Sequence, residues 1–342
     1  MKLSKKITAM LIFIGALHLA ALFAGFFAPY DFAQQDRNML YSAPTPLHFS
    51  DVQGRWHLQP SVCALIDNSE GNGFYSEDRE KCKPVRWWVQ GSRYELLGHF
   101  QSTWHLFGVD SPNRIFLLGS DGYGRDVFSR LLYGSQISLF AGFLATALTL
   151  TMGALLGTMA GYYGGWIDAA IMRCVEIFLA LPWLYLLFAI RAFLPLHISP
   201  SRAFLLLIIV IGAVGWARPA RLIRGVVLSG KERGYCLAAK GFGASDFYLM
   251  RRQLLPQTYS VLLTQAALLI PQYILAEVTL SFLGLGVGEP VASWGNMLGT
   301  LQQYDVLVSY WWMWAPGIAV IPVFFCYQLL GNALQQRARC SA

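Results

Sequence analysis

The sequence predicts an all-α polytopic membrane protein of about six transmembrane helices, with an inserted external domain of α/β or β-rich character between the first and second. Three observations carry this reading. Hydrophobic residues make up 55% and charged residues only 13% of the 342 residues, where charge runs near a quarter in ordinary soluble chains. Apolar runs recur at the length a helix needs to cross a bilayer core of about 30 Å, roughly 20 residues. The basic residues, finally, collect in three places that six spans put on one side.

The candidate spans lie near residues 7–28, 137–162, 169–194, 203–216, 259–282 and 312–330. Lys2, Lys5 and Lys6 precede the first; Arg218, Arg221, Arg224, Lys231, Arg233, Lys240, Arg251 and Arg252 crowd the segment between the fourth and fifth; Arg337 and Arg339 follow the sixth. The connection between the fifth and sixth carries Glu289 and Asp305 but no Lys or Arg. The positive-inside rule then puts both termini and the basic loop in the cytoplasm. An apolar stretch of about 22 residues is longer than the usual signal-peptide core, so the first span is expected as an uncleaved anchor. Arg173, Glu176 and Arg191 sit near the ends of the third span, where long side chains reach the interface; Glu277 lies deeper.

The organisation expected is residues 1–28 as N-terminus and first helix, 29–134 as the external insertion, and 135–342 as a five-helix core with a cytoplasmic loop at about 218–256. The insertion has turn chemistry at residues 68–73, a charged run at 77–83, and an alternating stretch Val85-Arg86-Trp87-Trp88-Val89 that reads as a strand. Cys63 and Cys82 fall inside it, where an oxidising compartment favours pairing, and are a candidate disulfide. Cys174, Cys236, Cys326 and Cys340 are expected as reduced thiols, and the histidines, His18, His48, His57, His99, His105 and His197, lack metal-ligand spacing. Aromatic residues at Tyr162, Tyr163, Trp166 and at Tyr310–Trp314 read as interfacial belts.

Gly225-Val226-Val227-Leu228-Ser229-Gly230-Lys231-Glu232 almost spells a nucleotide-binding loop. Glu232, however, lacks the hydroxyl that ligates magnesium, and no buried strand precedes it. No nucleophile with a base stands out, so no catalytic residue, metal or cofactor is expected in this chain, and the net charge of +7 reads as membrane topology rather than as a nucleic-acid partner.

The cytoplasmic stretch is more informative. Arg218, Arg221 and Arg224 lie along one side of a helix. Tyr235-Cys236-Leu237-Ala238-Ala239-Lys240-Gly241-Phe242-Gly243-Ala244-Ser245-Asp246 then gives a small-residue helix, a glycine break and an N-cap at Ser245 or Asp246, with Pro256 opening the fifth span. An amphipathic linker held by anionic lipid is one reading; a docking element for another protein is the other. This stretch resembles the cytoplasmic coupling loop of binding-protein-dependent ABC importer permeases. Residues 118–134, LGSDGYGRDVFSRLLYG, followed by Gln136-Ile137-Ser138-Leu139, resemble the signature before the second helix in the dipeptide, oligopeptide and nickel branch; residues 280–287, LSFLGLGV, and 293–298, SWGNML, resemble that branch after the fifth.

The resemblance implies half of a pore, paired with a second permease subunit, two cytoplasmic ABC ATPase subunits that hold the ATP and magnesium, and an external solute-binding protein, all at a bacterial inner membrane. It implies that Tyr235, Leu237, Ala238, Ala239, Gly241, Gly243 and Ala244 form the ATPase-coupling loop. Leu237 stands where the family motif has Glu, and Gln253 where His is common. Glu277 and Ser281 are candidates for pore or permease-partner contacts. A self-contained secondary transporter and a membrane receptor with an external sensor domain are the alternatives; the first calls for more intramembrane ionisable groups, the second for an output domain.

Overall fold

The computed structural model describes residues 5–50, 55–67, 75–96, 100–193 and 199–341. Lys2, the turn at 68–73, His99 and His197 lie outside them, as do the side chains of Arg191, Arg337, Arg339 and Cys340. In chain order the elements are α1 Lys5–Leu22, α2 Ala24–Phe27, β1 His48–Ser50, β2 Trp56–Asp67, β3 Tyr75–Pro84, β4 Arg86–Leu96, β5 Phe100–Gly108, α3 Val127–Tyr163, α4 Gly165–Ala180, α5 Trp183–Phe193, α6 Pro200–Gly215, α7 Ala217–Lys231, α8 Gly234–Gly241, α9 Asp246–Tyr248, α10 Tyr259–Phe282, α11 Trp294–Gly299, α12 Tyr304–Ser309 and α13 Ala315–Ser341. They divide into two compact units: Met1–Ile14, Phe140–Leu280 and Val323–Ala342 form one, Gly15–Leu139 and Ser281–Pro322 the other.

Among the described residues three helical runs are long and apolar enough to cross a membrane, Val127–Tyr163, Asp246–Phe282 and Trp311–Gln336, and two bent pairs raise the number to five if each pair is one span. The apolar helix Ile7–Leu22 is shorter. The expected third span, 169–194, is not one straight helix. It breaks by 94° between α4 and α5, because Leu181 turns extended (φ −84°, ψ 137°) ahead of Pro182, whose ring disfavours the α region for the residue before it. The expected fourth span, 203–216, runs on into α7 with a bend of 46°; Pro219, early in α7, withholds the amide that would bond back across the junction.

In the first unit α3 meets α7 along glycines. A Cβ added to Gly157 would stand 3.0 Å from Ile223 Cβ, and one on Gly161 would stand 2.9 Å from Val227 Cβ, while Gly153 lies over Pro219. Spacing of four puts the three glycines on one face, and small residues there let backbones approach, the usual route to helix packing in lipid. Thr149 Oγ1 donates to Gly212 O at 3.0 Å. At the end of this packing Arg224 of α7 holds Asp168 of α4 with two hydrogen bonds of 2.5 Å, the paired geometry that makes guanidinium–carboxylate contacts strong.

In the second unit β1, β2 and β3 form an antiparallel sheet in that order, and β4 pairs β5 antiparallel. The charged run at 77–83 is itself strand β3, and the described part of residues 48–108 contains no helix. Cys63 and Cys82 face each other in the β2–β3 register and are joined as a disulfide. Val62, Val85, Phe107 and Ile115 make the small core beneath.

Candidate functional site: an exposed helix-break-helix

Residues 233–255 follow α7. Arg233 is extended at the N-cap of α8, which runs through all of Tyr235, Leu237, Ala238, Ala239 and Gly241. It closes with Phe242 N–H donating to Ala238 O at 3.0 Å, Gly243 N–H to Lys240 O at 3.0 Å and Ala244 N–H to Ala239 O at 3.0 Å. Gly243 sits at φ +84°, the left-handed conformation that glycine adopts without penalty and other residues do not. Gly241 has no such conformation and no neighbour within 4 Å of a Cβ placed on it, so of the two glycines only Gly243 is required by the backbone. Ser245 caps α9 by accepting from Tyr248 N–H at 3.3 Å. A π-helical turn Leu249–Leu254 and a 3-10 turn Leu255–Thr258 containing Pro256 lead into α10.

This segment exposes large apolar side chains beside the charged Arg233, Lys240, Asp246, Arg251 and Arg252. Leu237 is 59% and Phe242 93% exposed, with Tyr235 and Phe247 also outward; Ala238 is exposed, Ala239 and Ala244 half-buried. Beneath, Cys236 and Leu254 are buried against Ala154, Ile223 and Val227, and burial pushes the Cys236 thiol above its ordinary range. Tyr162, at the end of α3, donates a short hydrogen bond to Asp246. A cleft of about 370 Å³ opens between Tyr162, Lys231, Cys236, Lys240 and Asp246. The ridge is thus exposed on top and packed below on α3 and on α7, the helix whose Arg224 holds α4. Gly225 to Lys231, the stretch that resembled a phosphate loop, is helical throughout, so its amides bond within the helix instead of cradling phosphate.

Glu277 and Ser281 both lie on α10, and both are buried, Glu277 completely; neither presents a side chain at the surface of this chain.

Sequence reading missed a second constellation, in the other unit. The Asp121 carboxylate accepts from Tyr123 N–H at 2.8 Å and Arg125 N–H at 3.0 Å, and from Arg125 Nε at 2.7 Å. Arg125 Nη1 then reaches Glu289 at 2.6 Å and Arg130 Nη2 reaches it at 3.0 Å. The two guanidiniums are 3% and 2% exposed while Glu289 is 45% exposed. Arg130 Nη1 also donates to Phe32 O and Pro290 O, each at 3.3 Å. Asp126 accepts at one oxygen from Ser129 N–H (2.8 Å) and Ser129 Oγ (2.6 Å). Its other oxygen is buried without a hydrogen-bond partner, and desolvation pushes its pKa up to about 7 against the pull of Ser129. Close by, Ser293 and Asn296 form a reciprocal cap on α11, and Trp294, 1% exposed, donates from Nε1 to Leu131 O at 3.0 Å. The signatures at 118–134 and 280–298 are therefore packed on each other.

Residues 153–339, more than half of the chain, match the family described as binding-protein-dependent transport system inner membrane component. The chain belongs to this family. It is a membrane permease subunit of an ABC importer, a multi-pass inner membrane protein whose family works with a further permease, ATPase subunits and a binding protein. The chain is similar to the dipeptide transport system permease protein DppC of Bacillus subtilis (strain 168), 37% identical over 66% of this chain and 68% of the relative. It is 38% identical to the probable D,D-dipeptide transport system permease protein DdpC of Escherichia coli (strain K12), over 66% of this chain and 73% of the relative. Among solved structures it is similar to an inward-facing MetNI methionine ABC transporter chain, at 18% identity and a TM-score of 0.44, covering 60% of this chain and 95% of that one.

Proposed function

We propose that this permease forms one half of a six-span translocation pore for peptides, with both termini cytoplasmic, residues 29–134 external, and residues 235–244 seated on a partner ATPase. A second permease subunit supplies the other half, two ABC ATPases carry ATP and magnesium, and an external solute-binding protein delivers substrate. This chain itself hydrolyses nothing. The observation that carries the coupling assignment is the set of exposed apolar side chains Tyr235, Leu237, Phe242 and Phe247, on a segment packed against α3 and α7. Burying that ridge against a protein surface gains hydrophobic free energy, and the glycine contacts under α7 give any displacement of the ridge a stiff route into the membrane helices. Coupling then requires only that the ATPase grip the ridge differently in its two nucleotide states. Leu237 in place of an acidic residue makes this seat apolar where the family motif offers an ion pair. The peptide assignment rests on the relatives, which are dipeptide permeases.

Affinity purification of the tagged chain in mild detergent, with identification of what accompanies it and an ATPase assay, tests the reading. Recovery of an ATPase and a second permease, abolished by Gly243→Trp while membrane insertion persists, is expected. A chain that purifies alone and transports in vesicles without ATP overturns it.

A further inference from the structure

The β4–β5 hairpin is fastened to the end of the first apolar helix. His105, buried in β5, donates from Nδ1 to Ala28 O at 2.6 Å, and Gly25 of α2 lies flat under the Tyr94 ring of β4, with no room for a Cβ. Along that helix end, Leu19 and Phe23 are exposed and Phe26 is half-buried. Spacings of four and three residues put all of them on one face, which among the described residues is left open at Leu19 and Phe23. The face does not stop at Phe26. The Trp88 ring lies 5.3 Å from the Phe26 ring and is itself 64% exposed. Trp88 also sits at φ +56°, a conformation that a bulky residue adopts only where its surroundings impose it.

An exposed apolar helix stripe in a membrane protein faces lipid, and a tryptophan prolonging the end of such a stripe occupies the position where indole rings favour the polar–apolar boundary of the bilayer. We propose that Trp88 and its neighbour Trp87, also exposed, sit in the phospholipid headgroup layer and tether the inserted β-region to the membrane surface at the end of the first helix. Lipid is the occupant because the patch is continuous with the exposed stripe of the first apolar helix, which the proposed six-span reading places in the bilayer. The tether holds the hairpin at a fixed depth while the β2–β3 sheet reaches into water.

The test uses the whole importer in phospholipid nanodiscs, with Cys174, Cys236, Cys326 and Cys340 replaced by serine and a nitroxide attached at Trp88→Cys. Trp87→Cys is labelled in parallel in case one substitution disturbs the hairpin, and Leu58→Cys, fully exposed on β2, is the aqueous reference. Labels at 87 or 88 should collide with dissolved oxygen severalfold more than with a water-soluble nickel chelate, and the label at 58 the reverse. Equal chelate access at 58, 87 and 88 overturns the proposal. So does shielding of 87 and 88 from both reagents, the signature of a protein partner on this face. Neither readout depends on which side of the membrane the insertion occupies or on the identity of the cargo.

Discussion

Residues 118–134 and residues 234–255 both carry the family's motifs, yet one stretch is largely buried and rich in internal ion pairs and hydrogen bonds while the other stands largely exposed. Around α3 the named residues bond each other: Asp121 holds Arg125, Arg125 and Arg130 share Glu289, and Trp294 closes on Leu131. Around α8 Cys236, Leu249 and Leu254 turn inward, while Leu237 and Phe242 stay exposed. The first motif is accounted for by contacts within the chain; the second, on the function proposed above, by a partner that binds it. A motif read from sequence alone does not distinguish these causes, whereas burial and partner inventory do.

The contrast breaks most visibly at Arg130. Replacing it by alanine leaves Glu289 and Asp121 short of a buried cation; removing one partner of such a pair costs about 3–5 kcal/mol, and because Glu289 keeps contact with water the lower end is expected. Thermal unfolding of the purified chain in detergent should show this loss, and Leu237→Ala, at the bare site, should leave the unfolding temperature unchanged.

Asp126 sharpens the same contrast through pH. Its pKa is raised from 3.8 to about 7 in the folded chain, so across that window the folded state keeps a proton the unfolded state has released. Stability is therefore greatest on the acid side and falls as pH rises through the window. Asp126→Asn should flatten this slope, and an unchanged profile would remove Asp126 as its source.

At the exposed motif the effects are smaller. Gly243→Ala forces a Cβ into the left-handed region, at about 1–2 kcal/mol, whereas Gly241→Ala meets open space and should be neutral or slightly favourable. Equal coupling defects in both, measured as transport per ATP hydrolysed, would show that conformation is not what Gly243 supplies. Ser245→Ala removes one cap, about 1 kcal/mol and confined to the first turn of α9. Hydrogen exchange at Tyr248 should report it while unfolding of the rest of the chain does not.

Much of this was legible in the residues. The apolar runs, the strand beginning near Val85, the Gly243 break and the Ser245 cap follow from local rules that need no partner. The 94° break at Leu181–Pro182 did not appear in hydropathy because summed apolarity is blind to the backbone restriction a proline puts on the residue before it. The stripe Gly153, Gly157, Gly161 was silent because glycine carries no side chain for a pattern to register; its meaning lies in Pro219, Ile223 and Val227 on another helix. The Arg125–Glu289 pair spans 164 positions, a distance over which no periodicity speaks.

The central claim is that the bare ridge is the ATPase's seat. A photoreactive amino acid placed at Leu237, irradiated with the whole importer in native membranes, tests it most directly. The account predicts a cross-link to the ATPase subunit whose yield changes when ATP is added. Adducts only to lipid or to the other permease, with the ATPase unlabelled, would contradict it.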